Sequence, residues 1–416
     1  MYRKIRSHRA VGAVILAASL LAAGCGGSDS DSSSETTTSA VDSGSVLGKK
    51  DPAKGEPVKV GTVYDGQTPA FDNTDQLRVA EAMVDYLNDY RGGIGGRPIQ
   101  LVSCETGGDQ AKSVDCANEL ISEDVVLTVL PAIATTATVW KSLNAAGVPT
   151  WIYSATDADV QKDEESTFLT GSPKGTLIDL PGKMAKDNDL KKVVAVVIDV
   201  PAATQIYKDT KSSDGVEFEL VAIPPGQADM TPQMTRIANE GDVAVQIVGS
   251  DTFAISAMKG LQAASFDGPI ACIGCDTEAA RKALGDSLEG VLVAVQGRTN
   301  PGDEDAELWH AIASTYAKDI ENPDEMIPVS AYTVWAAARD SLEGLTGDVT
   351  QASVLEAIHS MPSTHLRMFL GAQFRCNGKA APTSPASCAN AVVYSTLDGD
   401  GQLGKVSVSN TDPIPD

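Results

Sequence analysis

Apolar positions along the chain follow two alternating rhythms. Runs at 58–64 (VKVGTVY), 97–103, 125–130 and 149–154 are short and β-rich, the pattern of strands covered on both faces. Between them apolar residues recur at helical spacing. Leu77, Ala80, Val84, Leu87 and Tyr90 mark a helix over 74–91. Val114, Ala117, Leu120 and Ile121 mark one over 111–122, and a third covers 135–146. After Gly171 the series restarts, with strands at 191–199, 217–223, 243–250, 269–274 and 290–296. Helices separate these strands at 177–189, 202–212, 231–240, 252–264 and 277–284. Strands spaced by helices predict right-handed βαβ units and parallel sheets, so two series predict two doubly wound α/β lobes. The rhythm then breaks. Residues 303–320 and 328–345 read as long helices, 350–361 as a shorter one, and 366–408 as antiparallel strands with loops. Trp140 and Trp335 fall on helices as core residues.

The N-terminus has a different texture. Residues 1–9 are basic, and residues 10–23 are apolar with a single Ser. That run is short for a spanning helix of roughly 20 residues, and it fits the basic and apolar regions of a signal peptide. It ends in Leu21-Ala22-Ala23-Gly24-Cys25, which resembles the lipobox of bacterial lipoproteins. The resemblance implies a leader at 1–24 and a Cys25 acylated after cleavage. It also implies an extracytoplasmic protein, lipid-anchored to the outer face of the cell membrane. Residues 25–57 have no aromatic side chain and few aliphatic ones, so they predict a disordered tether.

Charge narrows the function classes. The 416 residues carry 32 Lys and Arg against 56 Asp and Glu, a net charge of −24, and the leader holds basic residues but no acid. An acidic chain repels phosphate backbones, so no nucleic-acid partner is expected. Catalytic signatures are missing: there is no G-x-S-x-G, H-E-x-x-H or G-x-x-x-x-G-K-[ST]. Gly92-Gly93-Ile94-Gly95-Gly96 follows a helix and precedes a strand, the wrong order for a dinucleotide loop, and reads as a helix stop with a tight turn. Asp398-Gly399-Asp400-Gly401 resembles part of a calcium loop but lacks the terminal Glu, and reads as a turn. Neither metal nor cofactor is expected. Paired carboxylates of a hydrolase remain conceivable in so acidic a chain, but nothing singles out a pair.

Six cysteines follow Cys25, and six allow 15 connectivities. They fall into three local pairs: Cys104 with Cys116, Cys272 with Cys275, and Cys376 with Cys388. In a cytosolic chain the C-x-x-C of Cys272 and Cys275 would suggest redox work. The export signal instead favours three structural disulfides.

Several motifs in order resemble one family. Tyr90-Arg91-Gly92-Gly93-Ile94-Gly95-Gly96-Arg97-Pro98-Ile99 comes first. Cys104 follows the second strand, and Ala132-Ile133-Ala134-Thr135-Thr136 follows the third. Pro149-Thr150-Trp151-Ile152-Tyr153-Ser154-Ala155-Thr156 comes after the next helix. The set is similar to type I periplasmic binding proteins, in the Leu/Ile/Val-binding-protein-like branch of ABC-transporter receptors. The resemblance implies two Rossmann-like lobes joined by a three-strand hinge that a ligand closes. Its boundaries put 58–172 and 298–365 in the first lobe, and 173–297 and 366–408 in the second. It further implies a non-enzymatic, monomeric receptor handing a small polar solute, an amino acid or amide-like, to an ABC permease. A ligand-sensing receptor coupled to a signalling partner is the other reading.

Site positions are implied in the same way. Hydroxyls and helix-start N–H groups at Thr135, Thr136, Ser154, Ala155 and Thr156 would hold an anionic or carbonyl end. Phe71 would cover the ligand, and Asp276 would pair with a cationic end. Asp251 lies in a further ligand loop. Ala203 stands where amino-acid binders carry a Tyr, which points to a solute bulkier than Leu or of another polar type. Thr135, Thr136 and Asp276 also fit as caps of the helices that follow them.

Overall fold

The computed structural model describes residues 46–416 apart from 69–71, 209, 296–299 and 382. The expected leader, the lipidation residue Cys25 and the candidate ligand residue Phe71 lie outside the described residues.

The first series forms β1 (Val58–Tyr64), α1 (Asp75–Tyr90), β2 (Ile99–Glu105), α2 (Gln110–Ser122), β3 (Leu127–Leu130), α3 (Thr136–Ala145), β4 (Thr150–Ile152) and β5 (Thr167–Leu169). The strands make a parallel sheet in the order β2-β1-β3-β4-β5, with Val58 opposite Ile99 and Leu130 opposite Ile152. Val60, Val63, Leu127 and Val129 are buried, as strands covered on both faces require. β5 had no signal in the pattern, because its apolar run is only Phe168 and Leu169.

The second series forms α4 (Leu180–Asp187), β6 (Lys192–Ile198), β7 (Glu217–Ile223), α5 (Thr231–Ala238), β8 (Ala244–Val248), α6 (Asp251–Ala263), β9 (Ile270–Ile273), α7 (Glu278–Leu284) and β10 (Leu292–Ala294). The helix expected over 202–212 is shorter. It spans Pro201–Thr204 and a 3-10 turn at Gln205–Tyr207, where Tyr207 turns into the core with its ring 6.0 Å from that of Phe218.

The two long helices and the shorter one expected in the C-terminal third are α8 (Glu304–Tyr316), α9 (Met326–Asp340) and α10 (Gln351–Ser360). α8 and α9 pack on α1, so this segment belongs with the first sheet. Trp309 stacks on Tyr332 with centroids 4.9 Å apart, and the Tyr316 hydroxyl donates to Asp89 at 2.8 Å. Trp140 and Trp335 are core residues. The chain ends with β11 (Val393–Thr396) and β12 (Ser407–Val408), antiparallel additions that complete the order β12-β11-β10-β9-β8-β6-β7.

At two expected boundaries the contacts fall differently. Within 366–388, Gln373–Phe374 pairs with Thr364–His365 in a separate two-stranded sheet, and the segment ends against the edge of the first sheet. Ser387 bridges Leu169, the Cys388 N–H donates to the Leu169 carbonyl, and the Phe374 ring lies 6.0 Å from Trp151. The physical reason is the free edge of β5, whose N–H and C=O groups need partners that this loop supplies. The tether, expected to run to residue 57, gives way to packed chain earlier. Leu47 is buried, and the N–H groups of Asp51, Ala53 and Lys54 donate to the carbonyls of Asp89, Asn88 and Gly96.

The glycine run is a tight turn. Ile94 and Arg97 exchange backbone hydrogen bonds at 3.0 Å, and a Cβ at Gly93 would lie 2.0 Å from the Arg97 carbonyl oxygen. Asp398 accepts from the N–H groups of Asp400 and Gln402, which makes its loop a turn. The three disulfides are Cys104–Cys116, Cys272–Cys275 and Cys376–Cys388. Among the described residues, no helix is long and apolar enough to cross a membrane, and no cluster of His, Cys, Asp and Glu is placed to hold a metal ion.

Candidate functional site

In parallel α/β sheets, ligands are received outside the carboxyl ends of the strands. Every candidate among the described residues lies at such an end, in two groups. Thr135, Thr136, Ser154, Ala155 and Thr156 follow the neighbouring strands β3 and β4. Ala203, Asp251 and Asp276 follow β6, β8 and β9, which are also neighbours.

The first group is built around a residue the sequence pattern did not single out. Asp65, directly after β1, is 1% exposed. Its carboxylate accepts from the Ala134 N–H at 3.0 and 3.3 Å, the Thr106 hydroxyl at 3.2 Å and the Asn73 amide at 3.1 Å. Gln76 on α1 accepts the Asp65 N–H at 2.9 Å and donates to the Ala132 carbonyl at 2.8 Å. One network therefore sets the loops after β1, β2 and β3. A lone Asp before Gly66 carries no periodic signal, and only the sheet order brings these loops together.

The hydroxyls beside this network are partly occupied. Thr135 stands at the N-cap position of α3 but makes no capping side-chain bond. It is 3% exposed, and its oxygen accepts from Ser113 at 2.7 Å. The Thr136 hydroxyl donates to the Ile133 carbonyl at 2.8 Å. After β4, Ala155 is buried, Ser154 half-buried and Thr156 exposed.

The second group rests on a different device. The Cys272–Cys275 disulfide, buried at both residues, closes the turn that carries Gly274 and leads to Asp276. Gly274 has φ +97°, and a Cβ there would lie 2.7 Å from the Gly249 carbonyl oxygen, so the loops after β8 and β9 are pressed together. Asp276 does not cap α7. Thr277 does, accepting from the Ala280 N–H at 3.1 Å, while Asp276 pairs with Arg281 at 3.2 Å. Ser250 caps α6, and Asp251 is that helix's first residue, accepting from the Thr252 N–H at 2.6 Å. Ala203 is half-buried.

Two cavities lie away from both groups. One of about 560 Å³ is lined by Ser172, Lys174, Asn390 and Asn410 among others. One of about 460 Å³ is lined by Asn300, Glu307, His310 and Asp324 among others.

The family model described as periplasmic binding protein matches residues 57–392. The Leu/Ile/Val-binding protein homolog 3 of Brucella melitensis is 23% identical over 317 residues, covering 73% of this chain and 83% of that protein. An ABC transporter substrate-binding protein from Sphaerobacter thermophilus has a TM-score of 0.64 at 20% identity, covering 87% of this chain and 98% of its own. The Leucine-, isoleucine-, valine-, threonine-, and alanine-binding protein of Brucella ovis, in a closed conformation, has a TM-score of 0.66 at 12% identity, covering 87% and 97%. These structures share the type I periplasmic binding protein fold with the chain.

Proposed function

The chain belongs to the periplasmic binding protein family, and from that premise we propose that it is a receptor for a small polar solute, which it hands to an ABC permease without covalent chemistry. The observation that carries this reading is the presence of two sheets whose parallel strands present two sets of polar loops at their carboxyl ends, over a span the family model covers almost entirely. The solute lies between the lobes and closes them about the three crossing segments. Thr135, Thr136, Ser154, Ala155 and Thr156 face it from the first lobe, with Phe71 as cover. Ala203, Asp251 and Asp276 face it from the second. Closure is favourable only if the solute contacts both groups, because a ligand shifts a hinge equilibrium by its differential affinity for the closed state. The receptor acts as a monomer.

Mass spectrometry of solute carried through purification of the full chain, followed by a thermal-shift screen of small solutes, tests this. The expected outcome is one bound small molecule and a matching rise in melting temperature. No retained molecule and no stabilising solute would defeat it.

The same reading places the receptor outside the cytoplasm on a lipid at Cys25, supported by the small residues before Cys25 and the apolar-poor stretch after it. Two acyl chains give stable membrane residence where one is marginal. Cys25→Ser is expected to release the protein from the membrane fraction, and unchanged retention of that variant counts against the anchor.

A further inference from the structure

Three stretches of chain pass between the two sheets: after β5, after β10 and before β11. Residues 409–416 make a fourth link. They leave β12, the edge strand of the second sheet, and settle on residues tied to the first. The Ile414 N–H donates to Ser363 Oγ at 3.0 Å, and the Asn377 side-chain amide donates to the Pro415 carbonyl at 2.7 Å. Arg375 and Lys379 both bond Asp416. Ile414 is 4% exposed, whereas Thr411, Asp412, Pro413 and Pro415 are exposed. A solvent-facing segment thus plugs one apolar side chain into the body of the protein.

The receiving residues are held to the first sheet. The Arg375 N–H donates to the Cys388 carbonyl, and the Cys388 N–H donates to the Leu169 carbonyl on β5. The Cys376–Cys388 disulfide closes the loop that carries Asn377 and Lys379. The near end of the link is pinned as well. Asn410 Nδ2 donates at 2.9 Å to Asn390 Oδ1, which lies in the stretch before β11. Only residues 411–413 separate Asn410 from Ile414, and the four steps between them reach about 14 Å when fully extended. Asn410 and Asp412 border the cavity of about 560 Å³ with Ser172 and Lys174, so the link runs beside open space there.

We propose that residues 409–416 are a strap that limits how far the two lobes part. The proposal rests on the receptor reading for the hinge motion itself, and adds a fourth connection to it. Any conformation that carries β12 away from residues 363–379 by more than the strap's slack must pull Ile414 from its seat and break the bonds around it. A state that loses contacts is depopulated accordingly. Ile414 is the main latch, because burial of an apolar side chain outweighs an ion pair whose acid, Asp416, is fully exposed. The strap acts on the hinge without touching the solute.

The test is single-molecule energy transfer on the full chain without added solute. Dyes are placed on non-natural residues at Glu119 on α2 and Lys259 on α6, which are exposed. Three variants are compared with the parent: a chain ending at Asn410, Ile414→Asp, and Asn377→Ala combined with Lys379→Ala. The first two are expected to raise the population at long distance at least threefold. The surface pair is expected to raise it less, and it decides the matter if the other two do not fold. A lower melting temperature with an unchanged distance distribution would make Ile414 a packing residue only and overturn the strap. A parent that samples two distances, with every variant unchanged, likewise overturns the strap and leaves the receptor reading standing. One fixed distance in the parent and in all variants shows no hinge, and defeats both.

Discussion

Two buried carboxylates in elements packed with the first sheet are held in opposite ways. Asp305, at the start of α8, accepts from His365 Nε2 at 2.7 Å, Arg367 Nη1 at 3.0 Å and the Met368 N–H at 2.9 Å. Arg367 continues to Asp340, which also pairs with Arg339. Around Asp305 the charge is cancelled inside the chain, and the network ties residues 365–368 to α8 and α9. Among the described residues, every donor to Asp65 is neutral. A cancelled charge does the work of a clamp and has little field left over. A carboxylate held by neutral donors ties together the loops after β1, β2 and β3. The same side chain at similar burial thus fastens helices to a loop through charges in one place and loops to one another through neutral donors in the other.

The largest expected effect separates the two directly. Asp305→Ala leaves a partly buried guanidinium with one carboxylate fewer and strands the Met368 N–H. The expected loss is about 3 kcal/mol or more in urea unfolding. Asp65→Ala strands only neutral donors, and about 2 kcal/mol is expected. The reverse order of costs would show that the neutral network bears more of the fold than the ionic one, and would break the comparison.

Much of the architecture was legible in the residues, for a simple reason. Strands such as 58–64 and 191–199 are buried on both faces, so their apolar runs are nearly continuous, and the intervening helices carry a 3.6-residue stripe. The local cysteine pairs were readable because each closes within one supersecondary unit. Elements that depend on distant partners were not. β5 is too short to show a period. The 366–388 segment follows an edge whose position only the sheet order determines. At the site, Asp276 was read through its place after a strand. Its pairing with Arg281, five residues on, joins the turn after β9 to α7 and follows no helical spacing. Asp65 was out of reach for a deeper reason. Its partners Asn73, Thr106 and Ala134 come from three loops, joined only when β1, β2 and β3 pair.

The smallest expected effect sharpens the contrast through pH. The hydrogen bond from His365 to Asp305 holds the imidazole above its usual value near 6.5, against an opposing push from burial, with Arg367 lowering it and Asp340 raising it. Burial pushes Asp305 up, but the bond from His365, the His365 charge, the Met368 N–H and Arg367 together bring it below the ordinary Asp value. A group raised in the folded state contributes stability that is complete below its unfolded value and is lost as pH climbs through the folded one. The His365 contribution is therefore full below about 6.5 and fades above it. The Asp305 contribution is full above about 4 and fades as pH falls through its lowered value. The clamp is strongest between those limits. The His365 side chain is 41% exposed, so solvent screening keeps its share to roughly a few tenths of a kcal/mol. Urea midpoints of the parent are expected to drift downward between about pH 6.5 and 8.5. His365→Gln, which retains a hydrogen-bond donor but no titrating charge, is expected to lose that drift. Parallel profiles for the two proteins would remove the protonated imidazole from the clamp and leave Arg367 and Asp340 as its working charges.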